Sequence, residues 1–338
     1  MGEMDRVTRK YMSDNRVFAD AVNFYFYGGE QRVDPERLQE LDPSQIASFR
    51  KKGKARSMER RRDVLKYLAG KQDEDGVILL LGIENQTRID YSMPVRNMLY
   101  DALQYEQQIE QILRGRENEN RTLPNQTEAS ENDRTNPFFP SLTEEDRLIP
   151  VTTLVVYYGA DVWKGHRDLH SMLRLTPGSD RIVDNYHLNL ICPSEIADAD
   201  FDRFQTGLGK ALKICKYSKD PQKLKNVVDS DPVYRSLDRS TARLIQTVVD
   251  RRILIPKTRR NVDMCEAVDG LIALGVEQGI AQGIAQGIEQ GIEQGEERKE
   301  NEIFENISSL VKKGMLTLAQ AAACLRMTEE EFAAKAGL

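Results

Sequence analysis

Apolar residues recur at three-to-four spacings between Asp5 and Tyr27, at Val7, Tyr11, Val17, Phe18, Ala21, Val22 and Tyr25. This predicts one amphipathic helix that stops at Gly28-Gly29. The period then changes. DVLKYL, from Asp63, reads as a strand, QDEDG turns the chain, and VILLLGIENQT reads as a second strand buried on both faces as far as Glu84. Together they predict a hairpin. Ser92 is placed to cap a helix that opens at Met93-Pro94, where proline is tolerated, and runs to about Arg114. IPVTTLVVYYG, from Ile149, is a third clear strand, a short helix falls near Leu169 to Leu173, and NYHLNLI, 186 to 192, is a fourth strand. From Ile196 every signal is helical. The order predicts an α/β fold with a mixed sheet flanked by helices, followed by an all-helical region.

Two stretches break this periodicity. Residues 115–147 are rich in Asn, Glu, Thr and Pro and read as a disordered surface insertion. Residues 276–295, VEQG-IAQG-IAQG-IEQG-IEQG, repeat every four residues, so an Ile/Gly stripe drifts by about 40° per repeat on a helix and favours right-handed winding around a partner. Glycines at 279, 283, 287, 291 and 295 weaken a solitary helix by about 0.8 to 1 kcal/mol each. The repeat therefore reads either as a self-associating helix or as a low-complexity linker. The last segment has a helix-turn-helix outline: Gly314 breaks, Thr317 caps, and Thr328 with Glu331 forms a capping box. Glu329, Glu330 and Glu331 would meet phosphates in a DNA-reading helix, so a small helical appendage is the better reading. The expected organisation is a domain over 1–195, a helical region over 196–275, the repeat helix over 276–300 and the appendage over 301–338.

Composition narrows the classes. With 338 residues, 40% hydrophobic and 30% charged, the chain can bury a sizeable core and is not wholly disordered. The net charge of −6 requires any nucleic-acid binding to come from a local basic patch. The only strongly cationic stretch runs from Arg50 to Lys66 and includes Lys51, Lys52, Lys54, Arg60, Arg61 and Arg62. It reads either as a grip on phosphates or as a solvated loop leading into a strand. Cys192, Cys215, Cys265 and Cys324 form no CxxC pair, as expected of reduced thiols in the cytoplasm. The start, MGEMDRVTRKYM, has no apolar core of a secretory signal, and no apolar run approaches the ~20 residues that span a bilayer. A cytoplasmic protein without a membrane partner is expected.

Candidate chemistry centres on the predicted hairpin. Glu84 and Gln86 project from one strand face, Asn85 points away and keeps its carbonyl available, and Asp63 on the neighbouring strand can lie beside Glu84. Two carboxylates with a backbone carbonyl and waters form an oxygen-only site suited to Mg2+ or Mn2+, with Ca2+ as another hard cation. Gln86 could orient a metal-activated water toward phosphorus. The same residues are also what a strand end carries as ordinary polar groups. Lys66 points to the opposite face from Asp63, Lys10 lies on the first helix within possible reach, and Arg96 and Tyr100 share a helix face that would contact DNA or brace the acids. His166 and His170 are four apart, but no third ligand accompanies them.

DRVTRKYMSDNRVFADAVNFYFYGG, RRRDVLKYL, VILLLGIENQT and SMPVRNMLYDALQYE occur in an order that resembles the Rpn family of recombination-promoting nucleases, also called YhgA-like transposases, within the PD-(D/E)XK nuclease superfamily. The resemblance covers about residues 4 to 192, and IENQT followed by DYSMPVR is its most specific part. It implies a restriction-endonuclease-like core and a divalent-metal-dependent DNA endonuclease associated with recombination or mobile elements. By resemblance, Asp63 matches the metal-binding aspartate, Glu84 the second acid, Gln86 the position usually held by lysine, and Asp5 an acid near the first helix. Glutamine brings a dipole where lysine brings a charge. DNA and a second copy of the chain, held through 276–295, are the expected partners. The competing reading is a catalytically inactive DNA-binding or self-associating relic of a mobile-element protein.

Overall fold

The computed structural model describes residues 2–41, 44–51, 54–61, 63–69, 77–122, 142–249, 253, 255 and 260–338; at 44–51, 54–61, 77–78 and 117–122 it describes the backbone alone. The chain forms two compact units, Met1–Leu271 and Ile272–Leu338. In the first, helices α1 (Glu3–Met12) and α2 (Asn15–Tyr27) precede strands β1 (Leu38–Leu41), β2 (Ser44–Lys51), β3 (Lys54–Arg61), β4 (Val64–Ala69) and β5 (Val77–Gln86). Then come α3 (Met93–Thr122), β6 (Val151–Tyr157), β7 (Asn189–Ile191), α4 (Gly207–Tyr217), α5 (Pro221–Ser230), β8 (Leu237–Asp238), α6 (Arg239–Val248), β9 (Asn261–Val262) and the start of α7 (Met264–Lys312).

A five-stranded sheet with the order β1-β4-β5-β6-β7 organises this unit. β1, β4 and β5 form an antiparallel meander, and β6 and β7 continue parallel to β5. The α/β class with a mixed sheet is as the hydrophobic pattern predicts. Central strands β5 and β6 bury Leu81, Ile83, Leu154, Val155 and Val156 at 2% exposure or less, which is why they read as continuous apolar runs rather than alternating ones. The expected hairpin is β4–β5, with Val64 opposite Ile83.

The structure differs from the sequence expectation at several boundaries. The single helix expected from Asp5 to Tyr27 is two, because the Asp14 side chain accepts the Arg16 N–H at 2.8 Å and opens a new helix there. Gly28 ends α2 with φ of 61°, a left-handed conformation that glycine adopts without strain. The insertion expected over 115–147 is helical as far as Thr122, where Arg116 reaches both Asp146 and Thr143; its stretch 123–141 lies outside the described residues. The basic segment is not a loop: β2 and β3 pair as an antiparallel hairpin, Lys51 opposite Lys54 and Gln45 opposite Arg60. Lys52 and Arg62 lie outside the described residues.

Of the helical region expected over 196–275, residues 196–271 belong to the same compact unit as the sheet. Phe24 of α2 stacks on Phe204 with ring centroids 3.9 Å apart. The buried Asp20 carboxylate accepts from the N–H groups of Gln205 and Thr206 at 2.8 and 2.9 Å. Gly207, opening α4, lies so close to Thr241 of α6 that a Cβ there would meet the Thr241 hydroxyl at 2.2 Å.

In the second unit, α8 (Leu318–Leu325) and α9 (Glu329–Ala336) pack Ala321, Ala322 and Phe332 against Phe304, Ile307 and Val311 of α7. Gly314 has φ of 72°, and Thr317 with Gln320 and Thr328 with Glu331 form capping boxes, so the helix-turn-helix outline is as expected. Along the repeat, Ile280, Ile284, Ile288 and Ile292 are 58 to 59% exposed. No helix among the described residues is long and apolar enough to cross a membrane.

Candidate active site

The end of the β4–β5 hairpin brings the two predicted acids together. Asp63 immediately precedes β4, so the antiparallel register places it against Glu84. The Asp63 N–H donates to Glu84 Oε1 at 3.2 Å, and the Asn85 N–H donates to Asp63 Oδ2 at 2.8 Å. Each acid is therefore held by its neighbour's backbone. The pair sits at the carboxyl end of β5, beside parallel β6, where open α/β sheets commonly carry their ligands.

Two arginines from different helices meet this pair. Arg96 of α3 donates to Glu84 Oε2 at 3.1 Å and to Asp90 at 3.3 Å, and its Nε donates to the Tyr100 hydroxyl at 3.2 Å. Arg9 of α1 lies 3.6 Å from Asp63 Oδ1. Glu84 is fully buried, so its charge needs such partners. Burial raises the Asp63 pKa, and the Asn85 N–H and the Arg9 charge oppose this only in part. Burial acts to lower the Arg96 pKa, but the Glu84 carboxylate, the Tyr100 hydroxyl and Asp90 together outweigh it, so the guanidinium is held charged more firmly than usual. The Tyr100 hydroxyl is raised by burial and then by the Glu84 charge.

Asn85 does not point away from the acids as expected. Its amide Nδ2 approaches Asp63 Oδ2 at 3.5 Å, and its Oδ1 accepts from the Tyr158 hydroxyl at 3.0 Å. The reason is that Asp63 sits one residue before the strand, where its carboxylate reaches around the hairpin end. Tyr158 is buried, which pushes its pKa well above the ordinary value and keeps it a neutral donor. Its N–H also donates to the Gln86 carbonyl at 2.8 Å, tying β6 to the end of β5. The Gln86 side chain is half-buried and makes no hydrogen bond among the described residues.

Three other expectations resolve differently. Asp5 is not part of this cluster: its carboxylate accepts the Gly2 N–H at 3.1 Å and caps α1. Lys10 instead lines a groove against α6, and the residue of α1 that reaches Asp63 is Arg9. Arg96, also considered as a DNA contact, braces Glu84. Lys66 does turn away from Asp63, donating to the Ser13 carbonyl at 2.6 Å and to Asn15. His166 pairs with Ser171 and His170 with the Val183 carbonyl, so they share no ligand. The side chains of Lys51, Lys54, Arg60 and Arg61 lie outside what is described. Arg9 is the residue that sequence reasoning missed; its position beside Lys10 on an amphipathic helix was the only signal.

The donor chemistry fits a hard divalent cation through Asp63 and Glu84. Mg2+ and Mn2+ are commonly held by one or two carboxylates, with waters and substrate phosphate completing the shell. No group of three or more His, Cys, Asp or Glu residues that could hold a metal occurs among the described residues. Such a cation would share the carboxylate lone pairs with Arg9 and Arg96. In comparisons with family profiles, curated proteins and solved structures, nothing matches this chain.

Proposed function

We propose that this protein is a divalent-metal-dependent DNA endonuclease. The observation that carries the reading is the Asp63–Glu84 pair, interlocked by backbone hydrogen bonds at the carboxyl end of β5. Asp63 immediately precedes β4 and Glu84 lies on β5, neighbouring strands of the antiparallel part of the sheet, with α3 and parallel β6 following, which supports the restriction-endonuclease-like core that the resemblance implies. Asp63 and Glu84 would hold the cation, which when bound lowers the pKa of a coordinated water. Gln86, with its amide uncommitted among the described residues, orients the attacking water. Arg96 and Arg9 hold the two carboxylates in place, and Arg9, whose contact is the longer at 3.6 Å, yields to the phosphate. The water oxygen bonds to phosphorus and gives up a proton to solvent, while the bond to the leaving oxygen breaks and that oxygen takes a proton from solvent.

One observation favours a second reading, a non-catalytic DNA-binding or self-associating protein: each carboxylate already faces a guanidinium, as a purely structural charge cluster would. Incubation with supercoiled plasmid, with and without Mg2+ or Mn2+, separates the two. Metal-dependent nicking that Glu84→Gln abolishes supports the nuclease. No nicking by purified, folded protein in either metal supports the second reading.

A further inference from the structure

A second cationic feature lies on the other flank of α1. A cavity of about 710 Å3 opens between α1 and α6, lined by Arg6 and Lys10 on one side and Arg239 and Arg243 on the other. Both pairs are spaced i, i+4, so each places two like charges on one helix face, an arrangement that disfavours an isolated helix. Asp14 is the only acid lining the cavity among the described residues, and its carboxylate is engaged in capping α2. All four cations are exposed, and Arg6, Lys10 and Arg243 make no ion pair among the described residues.

The two walls are tied together. Beneath the cations, the buried Tyr11 hydroxyl is 2.9 Å from the Thr241 hydroxyl, joining α1 to α6, and Gly207 lets Thr241 approach α4. Four cations on two fixed helices converge although the whole chain carries −6. Their placement also bears on the acid pair. Arg6 and Lys10 precede and follow Arg9 by three residues and one, so they project from the flank next to the face that carries Arg9 to Asp63. A polyanion lying along this groove would continue toward the acids.

We propose that the α1–α6 groove binds the phosphodiester backbone of duplex DNA through Arg6, Lys10, Arg239 and Arg243. It thereby gives the helices after residue 196 a part in substrate binding. The inference rests on the nuclease reading for its choice of polyanion. Exposed cations in pairs, each pair spanning one helical turn of ~5.4 Å, suit an extended chain of phosphates better than one enclosed anion.

The test is the salt dependence of binding of a short fluorescent DNA duplex by the full-length protein, with chelator present so that no cleavage intervenes. Replacing Arg6, Lys10 and Arg243 together by Gln should lower the slope of log affinity against log salt by about 0.9 per lost phosphate contact. Arg6→Lys and Arg243→Lys should keep the parental slope, and circular dichroism should match the parent in every variant. An unchanged slope in the triple variant, or a parent that does not bind the duplex, overturns the proposal. Displacement of the duplex by an equal concentration of inorganic phosphate would reassign the groove to a single small anion and overturn it as well. Plasmid nicking by the parent with an unchanged slope removes the groove and keeps the nuclease. A lowered slope without nicking does the reverse.

Discussion

The backbone N–H of Asp63 donates to Glu84 Oε1 at 3.2 Å, so the first acid positions the second through its main chain. A side-chain change at Asp63 therefore alters charge at the site without removing the bond that orients Glu84. This makes conservative substitution informative.

Asp63→Asn should abolish metal-dependent nicking and at the same time raise the melting temperature near neutral pH. The folded-state pKa of Asp63 is raised by burial, so its ionisation disfavours the folded state. The penalty is absent below the unfolded-state pKa and develops as pH rises through the folded one. The stability gain of the variant should therefore shrink on acidification into the range where the parental carboxyl is protonated. Thermal melts of parent and variant across this range check it; a variant less stable than the parent at neutral pH would show that the carboxylate is a net stabiliser.

Gln86→Leu keeps volume but removes the amide proposed to orient water, and loss of one such positioned group costs about 10² to 10³ in rate. Gln86→Lys should retain or raise the rate. Single-turnover nicking rates measure both, and a Leu variant as fast as the parent would assign the water to another group.

Gly207→Ala should destabilise the first unit by about 1 to 3 kcal/mol, the usual range for overpacking. The added methyl would meet Thr241, which cannot swing away without losing its hydrogen bond to Tyr11. Denaturant unfolding reads the loss. Thr241→Ser with Gly207→Ala should recover only part of it, because the contact is with the hydroxyl oxygen as well as the methyl.

The repeat should mediate self-association. The five glycines at 279, 283, 287, 291 and 295 weaken α7 by roughly 4 to 5 kcal/mol in total, and close packing of the exposed Ile/Gly stripe on a second copy would offset that. Light scattering on the full chain should give a mass above that of one chain, falling toward it in Ile284→Gln/Ile288→Gln. Equal mass in parent and variant would favour the linker reading.

Much of the hairpin was legible because its signals are local. Continuous apolar runs define β5 and β6, and the turn-forming composition of QDEDG predicts that β4 and β5 are neighbours, which is enough to bring Asp63 to Glu84. The division of the first helix at Asp14 was harder to read, since Val7, Tyr11, Val17 and Phe18 keep a nearly helical spacing across the break, and one carboxylate on one N–H decides it. The orientation of Asn85 was misread because strand alternation describes residues within a strand, whereas Asp63 stands just outside one.

Local signals along the chain were enough for β4, β5 and β6, the pairing of the two acids and the caps of the last helices, because periodicity, turn chemistry and capping act over a few neighbouring residues. Packing between distant segments set the rest: Arg9 and Arg96 face the acids, Tyr158 holds Asn85, and α6 closes a cationic groove against α1. Those contacts join residues far apart in the chain. Each depends on how buried faces pack, and many helices with the same local pattern could have supplied a cation to the same carboxylates.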